Sequence, residues 1–134
     1  MQSNVLAEIK RLTEQMTRPR NVLLVEDDDA LRWSVADLLK QYDCSVDETG
    51  NGIDGNSLAG AKEYDFAIID INLPGISGIE ICKTIKNKSS KTDIIIMTGE
   101  NHLQLDGYVV VFPKPFDFEL LERQIAGMTG KPYA

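Results

Sequence analysis

Cysteine is scarce in this chain. Cys44 and Cys82 are the only two among 134 residues, too few for a disulfide framework and wrongly spaced for a CxxC metal site. Two isolated cysteines read as small core or surface residues of a reducing compartment, so a cytoplasmic location is expected. Long apolar runs are also lacking. None approaches the roughly 18 residues of a membrane span, and the N-terminus carries no apolar h-region with a cleavage site. Basic charge is short as well: 14 lysines and arginines stand against 21 aspartates and glutamates. The deficit is uneven, because residues 1–20 hold four basic side chains (Lys10, Arg11, Arg18, Arg20) and two acidic ones (Glu8, Glu14). The remainder, with 10 basic against 19 acidic residues, would repel a phosphate backbone, which argues against direct nucleic-acid binding. It suits a divalent cation instead.

What is present is periodic. Val5, Ile9, Leu12 and Met16 recur at helical spacing, with Leu6 beside them, so residues 3–18 read as a helix that Pro19 ends. This helix either docks on the domain, frays as a leader, or offers a short contact to a partner or a second copy; it holds only about two heptads. After it the pattern changes. Val22–Val25, Phe66–Ile69, Ile94–Met97 and Val109–Phe112 are short continuous apolar runs, as strands buried on both faces should be. Cys44–Glu48 alternates like an edge strand. Helical stripes fill the gaps: Leu31, Val35, Leu38 and Leu39; Ile79, Cys82 and Ile85; Leu121, Ile125 and Met128. Gly52–Ala61 reads as a poorer helix, with two glycines. Strand and helix alternate about five times, which predicts a doubly wound α/β domain with helices on both faces.

In such sheets, ligands bind beyond the carboxyl ends of the strands. The first run ends in Glu26-Asp27-Asp28-Asp29, the third in Asp70, the fourth in Thr98, and the fifth runs through Pro113 to Lys114. Each residue has a plainer reading. Asp28 or Asp29 suits a helix cap, and Asp70 could serve the turn Leu73-Pro74-Gly75. Their placement at one end of successive strands is what joins them into a single crevice. Carboxylates from two strands can hold Mg²⁺, while a hydroxyl and an ammonium can meet phosphoryl oxygens.

These residues resemble a known family. Val-Glu-Asp-Asp-Asp-Ala-Leu-Arg-Trp (25–33), Ile-Ile-Asp-Ile-Asn-Leu-Pro-Gly-Ile-Ser-Gly (68–78), Ile-Met-Thr-Gly-Glu (96–100) and Phe-Pro-Lys-Pro-Phe (112–116) are similar to the four motifs of response-regulator receiver domains. The likeness covers about residues 21–128, with the motifs in the right order. It implies a flavodoxin-like five-stranded parallel sheet of order 2-1-3-4-5, built from residues 21–130, with residues 1–20 as an N-terminal helical extension. It implies a stand-alone signalling protein rather than an enzyme, in which Asp70 takes a phosphoryl group from a sensor histidine kinase or phosphotransfer protein. Asp27 and Asp70 would ligate Mg²⁺ directly, Glu26 through water and Asn72 through its carbonyl. Thr98 and Lys114 would contact the phosphoryl oxygens, with Gly99 leaving room. Asn72 and Glu100 match positions that modulate dephosphorylation, and Lys114–Pro115 looks like the family's cis peptide.

There are departures. Val111 stands where the family usually has an aromatic switch residue, and Tyr108 and Phe112 do not sit at that position. Only fifteen residues separate Thr98 from Lys114, so the domain's fourth helix, between the fourth and fifth strands, should be shortened to barely two turns. His102 in that segment reads as a surface residue, and Trp33 as the shoulder of its helix. After Met128 only Thr-Gly-Lys-Pro-Tyr-Ala remains, so output is expected through protein contacts with an unidentified target. Two rivals remain: a pseudo-receiver that docks partners without phosphorylation, and a haloacid-dehalogenase-like phosphatase using Asp27-x-Asp29. The second would leave Asp70 without a role.

Overall fold

A computed structural model describes residues 2–99, 109–115 and 117–133. Helix α1 (Gln2–Thr17) leads into β1 (Arg20–Val25), followed by α2 (Asp29–Gln41), β2 (Cys44–Thr49), α3 (Gly52–Ala61), β3 (Phe66–Asp70), α4 (Gly78–Lys88), β4 (Asp93–Thr98), β5 (Val109–Pro113) and α5 (Phe118–Thr129). All strand pairings are parallel, in the order β2-β1-β3-β4-β5. That is the expected flavodoxin-like arrangement, with β2 at one edge. The expected short helix between β4 and β5, together with Glu100, His102 and Tyr108, lies outside the described residues.

Alternation along the central strands builds two cores. Val22, Leu24, Phe66, Ile68, Ile95 and Met97 face α2 and α5, packing on Val35, Leu39, Leu121 and Ile125. Leu23, Val25, Ala67, Ile69, Ile94 and Ile96 face the other way, onto Ala59, Ile81 and Ile85. Both faces of each central strand are thus covered, which is why their runs are continuous. Four helices start at short polar caps. Asp28 accepts from the Leu31 N–H, Asn51 from those of Ile53 and Asp54, Ser77 from that of Ile79, and Asp117 from that of Glu119.

The weak pattern of α3 has a packing cause. A Cβ on Gly55 would lie 2.8 Å and 3.1 Å from the two methyl carbons of Val25. Glycine in a helix costs about 1 kcal/mol relative to alanine, and here it lets the helix approach β1 closely. In contrast, α1 is helical but its described apolar side chains are not packed on the sheet. Val5, Leu6, Ile9 and Leu12 are 44–66% exposed, so the docked alternative is not what the structure shows. The segment after α1 is held by Arg18, whose guanidinium pairs with Asp65 at 2.9 and 2.5 Å. Trp33, 58% exposed, faces solvent between half-buried Leu31 and buried Val35.

Candidate active site

Register determines which side chains meet at the carboxyl edge. Val25 lies opposite Ile69, so Glu26 is level with Asp70; Met97 lies opposite Phe112, two residues before Lys114. Glu26, Asp70 and Lys114 share the parity of Leu24, Ile68 and Phe112, and in paired parallel strands equal parity means the same face. Glu26 is 0% exposed and Asp70 2%. The Lys114 ammonium donates to Glu26 Oε1 at 2.6 Å and to Asp70 Oδ2 at 3.2 Å, so one cation bridges two buried acids.

Asp27 is exposed at the mouth of the pocket, and carboxylate oxygens of Glu26, Asp27 and Asp70 all come within 4.8 Å of one another. The inference that acids from β1 and β3 meet is therefore met by the geometry. The Asn72 N–H donates to Asp70 Oδ1 at 3.0 Å, holding the oxygen that Lys114 does not contact. The Asp28 N–H donates to Glu26 Oε2 at 3.2 Å. Thr98 is wholly buried at the end of β4, and its carbonyl accepts the Lys114 N–H at 2.6 Å, tying the ends of β4 and β5 together. A Cβ on Gly99 would meet nothing within 4 Å, so space is open there. The Lys114–Pro115 peptide is cis, as expected. Val111, at the usual aromatic position, is 37% exposed.

Three acids against one lysine leave the pocket short of positive charge. Burial pushes the Glu26 carboxyl up to about 7, and the nearby Asp70 adds to this, while the Lys114 hydrogen bond works the other way. For Asp27, burial is outweighed by hydrogen bonds shared with Glu26 and Asp70, by its own backbone and by the Lys114 charge, so its carboxyl lies below the ordinary range. For Lys114, burial is overcome by Glu26 and Asp70, which hold the ammonium above its usual value. Glu26 thus retains a proton to near neutrality beside ionised Asp27. A divalent cation replaces such a proton naturally, so the donor set fits Mg²⁺.

Two supporting residues escaped the sequence reading. A Cβ on Gly78 would fall 2.2 Å from the Asp70 carbonyl oxygen and 2.8 Å from Ile71 Cα, so only glycine lets α4 start against the strand end. Arg32 donates to the Glu26 carbonyl and pairs with Asp29 and Glu48. Gly78 falls within one of the quoted motifs, but its role depends on a main-chain contact that no local pattern encodes. Asp29 meets the Arg32 guanidinium at 2.7 Å, which gives the Asp27-x-Asp29 phosphatase reading no support.

Fold and site together define a phosphoryl-signalling class, and comparison with known proteins agrees. The profile of the response regulator receiver domain matches residues 22–126, and the chain belongs to that family, whose members are phosphorylated on aspartate in two-component signalling and interact with histidine kinases and phosphotransfer proteins. The cell cycle response regulator CtrA of Brucella ovis is 38% identical over 78 residues, 58% of this chain and 34% of that protein. The aligned stretch thus spans about a third of the curated relatives it matches. The receiver domain of a sensor histidine kinase from Pseudomonas aeruginosa PAO1, solved with magnesium coordinated in its active-site cleft, is 25% identical with a TM-score of 0.69 over 84% of this chain and 99% of that one. Response regulator TrrA of Thermotoga maritima, in complex with Mg²⁺ and BeF, is 28% identical with a TM-score of 0.67 over 81% and 98%. Among the described residues, no helix is long and apolar enough to cross a membrane.

Proposed function

We propose that this protein is a Mg²⁺-dependent receiver whose Asp70 accepts a phosphoryl group from a phosphohistidine of a sensor kinase or phosphotransfer protein. The observation that carries the reading is the Lys114 ammonium bridging Glu26 and Asp70 beside Asp27. Asp27 and Asp70 would hold the metal directly, Glu26 through water and Asn72 through its carbonyl. When bound, Mg²⁺ supplies charge neutralisation to the phosphoryl oxygens.

The remaining chemistry belongs to the side chains. An Asp70 carboxylate oxygen forms the new bond to phosphorus, the P–N bond of the donor breaks, and the electron pair stays on the imidazole nitrogen. Lys114 and the Thr98 hydroxyl receive the phosphoryl oxygens, an electrostatic role that requires only correct placement. Water later attacks phosphorus, the bond from phosphorus to the Asp70 oxygen breaks, and inorganic phosphate leaves as the carboxylate returns. Asn72, exposed beside Asp70, and Glu100 would orient that water and keep the phosphorylated state brief. The protein is therefore itself the substrate, rather than an enzyme turning one over.

Residues 21–130 would form the receiver and residues 1–20 an extension, a division supported to within one residue by Pro19 after α1 and by the left-handed Gly130 that ends α5, since Arg20 already pairs with Cys44 in β1. Output passes to a protein target. The uncovered stripe of α1 supports pairing with a second copy. Four side chains of roughly 100 Å² each, doubled by symmetry, fall short of the about 1,200 Å² of a stable interface, so such a dimer would be weak. Two buried free cysteines suit a cytoplasmic location. A second reading, the pseudo-receiver, is favoured by Val111 in place of the aromatic switch.

Incubation with acetyl phosphate separates the two. A receiver gains the mass of one phosphoryl group in Mg²⁺, and gains nothing in EDTA or as Asp70→Asn. A wild-type protein of unchanged mass would be the docking module.

A further inference from the structure

The first strand ends in four consecutive acids, yet only two of them, Glu26 and Asp27, belong to the candidate cation pocket. Asp28 caps α2. The fourth, Asp29, is held by Arg32, whose other contacts suggest a larger role. From one turn into α2 its side chain, 12% exposed, reaches back to the pocket wall. Nη1 donates to the main-chain carbonyl of Glu26 at 2.9 Å, Nη2 to Asp29 at 2.7 Å, and Nε lies 3.4 Å from Glu48 at the end of β2.

The Glu26 carbonyl belongs to a residue with no solvent exposure, and it begins the peptide that leads into Asp27. On the other side of the residue, the Glu26 N–H donates to the Thr49 carbonyl at 3.1 Å. Arg32 holds the carbonyl side, while its charge occupies the nearest surplus acid. The slot it fills is shaped by Gly50, where a Cβ would stand 2.7 Å from Arg32 Nη1 and 3.5 Å from the Glu26 carbonyl oxygen.

We infer that Arg32 is a positioning residue for Mg²⁺ binding, setting the Glu26–Asp27 peptide so that the Asp27 carboxylate faces Asp70. The inference rests on the proposed metal site and extends it to a residue that touches no ligand. Geometry and charge predict opposite signs here. As a nearby cation Arg32 repels Mg²⁺, so its removal on electrostatic grounds alone would tighten binding, the more so by releasing Asp29. As a positioning group its removal loosens binding, and outer-shell partners of metal ligands typically contribute 10–100-fold in affinity. Lysine keeps the charge but lacks the planar fork that serves three acceptors at once.

Isothermal calorimetry with MgCl₂ reads the difference on the full chain, with folding checked by far-UV circular dichroism. The expected result is Mg²⁺ affinity reduced about tenfold or more in both Arg32→Ala and Arg32→Lys. Gly50→Ala, which displaces the guanidinium without changing any charge, should weaken binding in the same direction. The double variant Arg32→Ala/Gly50→Ala should be no weaker than Arg32→Ala alone. Tyr42→Phe removes a hydrogen bond to Glu122 between α2 and α5 and controls for general loosening, so it should bind Mg²⁺ like wild type. Unchanged or tighter binding in Arg32→Ala, full affinity in Arg32→Lys, or an equal loss in Tyr42→Phe would overturn the inference. Should Arg32→Ala not fold, Arg32→Lys and Gly50→Ala decide it. Absence of Mg²⁺ binding by the wild type would instead refute the metal site itself.

Discussion

Replacing Glu26 with glutamine should stabilise the metal-free protein at alkaline pH and leave it nearly unchanged in mild acid. Glu26 is wholly buried, and burial raises its carboxyl from 4.5 to about 7 in the fold. Between those values the folded state holds a proton that the unfolded chain has released, so unfolding stability falls as pH rises through this window. Below 4.5 both states are protonated and above 7 both are ionised, and the slope vanishes at each end. Each pH unit is worth 1.36 kcal/mol, so the full interval corresponds to about 3 kcal/mol. Glutamine has the shape of the protonated acid and cannot ionise. Urea denaturation in EDTA should therefore show the variant and wild type converging at about pH 4, with the variant ahead by about 3 kcal/mol at pH 8. Saturating Mg²⁺ should narrow the variant's lead at pH 8 to the extent that the wild type binds the ion more tightly, because ligand at a hundredfold excess over its dissociation constant stabilises the protein that binds it by about 2.7 kcal/mol. A stability difference that does not change with pH would refute the reasoning.

Three further outcomes follow from the geometry. Gly78→Ala places a Cβ against the Asp70 carbonyl and Ile71 Cα, main-chain atoms that cannot rotate away. Its cost should reach or exceed the roughly 1–3 kcal/mol of core overpacking, read from denaturation midpoints. Replacing Asn72 and Glu100 together should lengthen the lifetime of the phosphorylated state, measured by loss of the added mass after acetyl phosphate is removed; an unchanged half-life of many hours would reject their role. Deleting residues 1–17 should change the stability of the receiver by less than about 1 kcal/mol, since surface elements without buried contacts contribute little. It should also abolish any concentration-dependent self-association seen by analytical ultracentrifugation.

The parts of this molecule that were legible in its sequence are those governed by local periodicity. Phe66–Ile69 is apolar at every position because both faces of β3 are covered, and Asp70 stands out as the residue where that cover ends. The same holds for Val22–Val25 before Glu26. Helix α3 was weak in pattern because Gly55 answers to Val25 across space, not to its neighbours in the chain. Arg32 and Gly78 were missed for a related reason, since both act on main-chain carbonyls at strand ends. The depth of Glu26 was also hidden. An acid run reads as solvated, and only the register of β1 against β3 shows that Glu26 is shut in with Lys114 while Asp27 stays at the mouth.

Locating the phosphoryl group tests the central claim most directly. After treatment with acetyl phosphate and Mg²⁺, borohydride reduction converts a phosphorylated aspartate to homoserine, which tandem mass spectrometry places in the sequence. The account predicts homoserine at position 70 alone. Reduction at position 27, or an unmodified peptide across both acids, would contradict it.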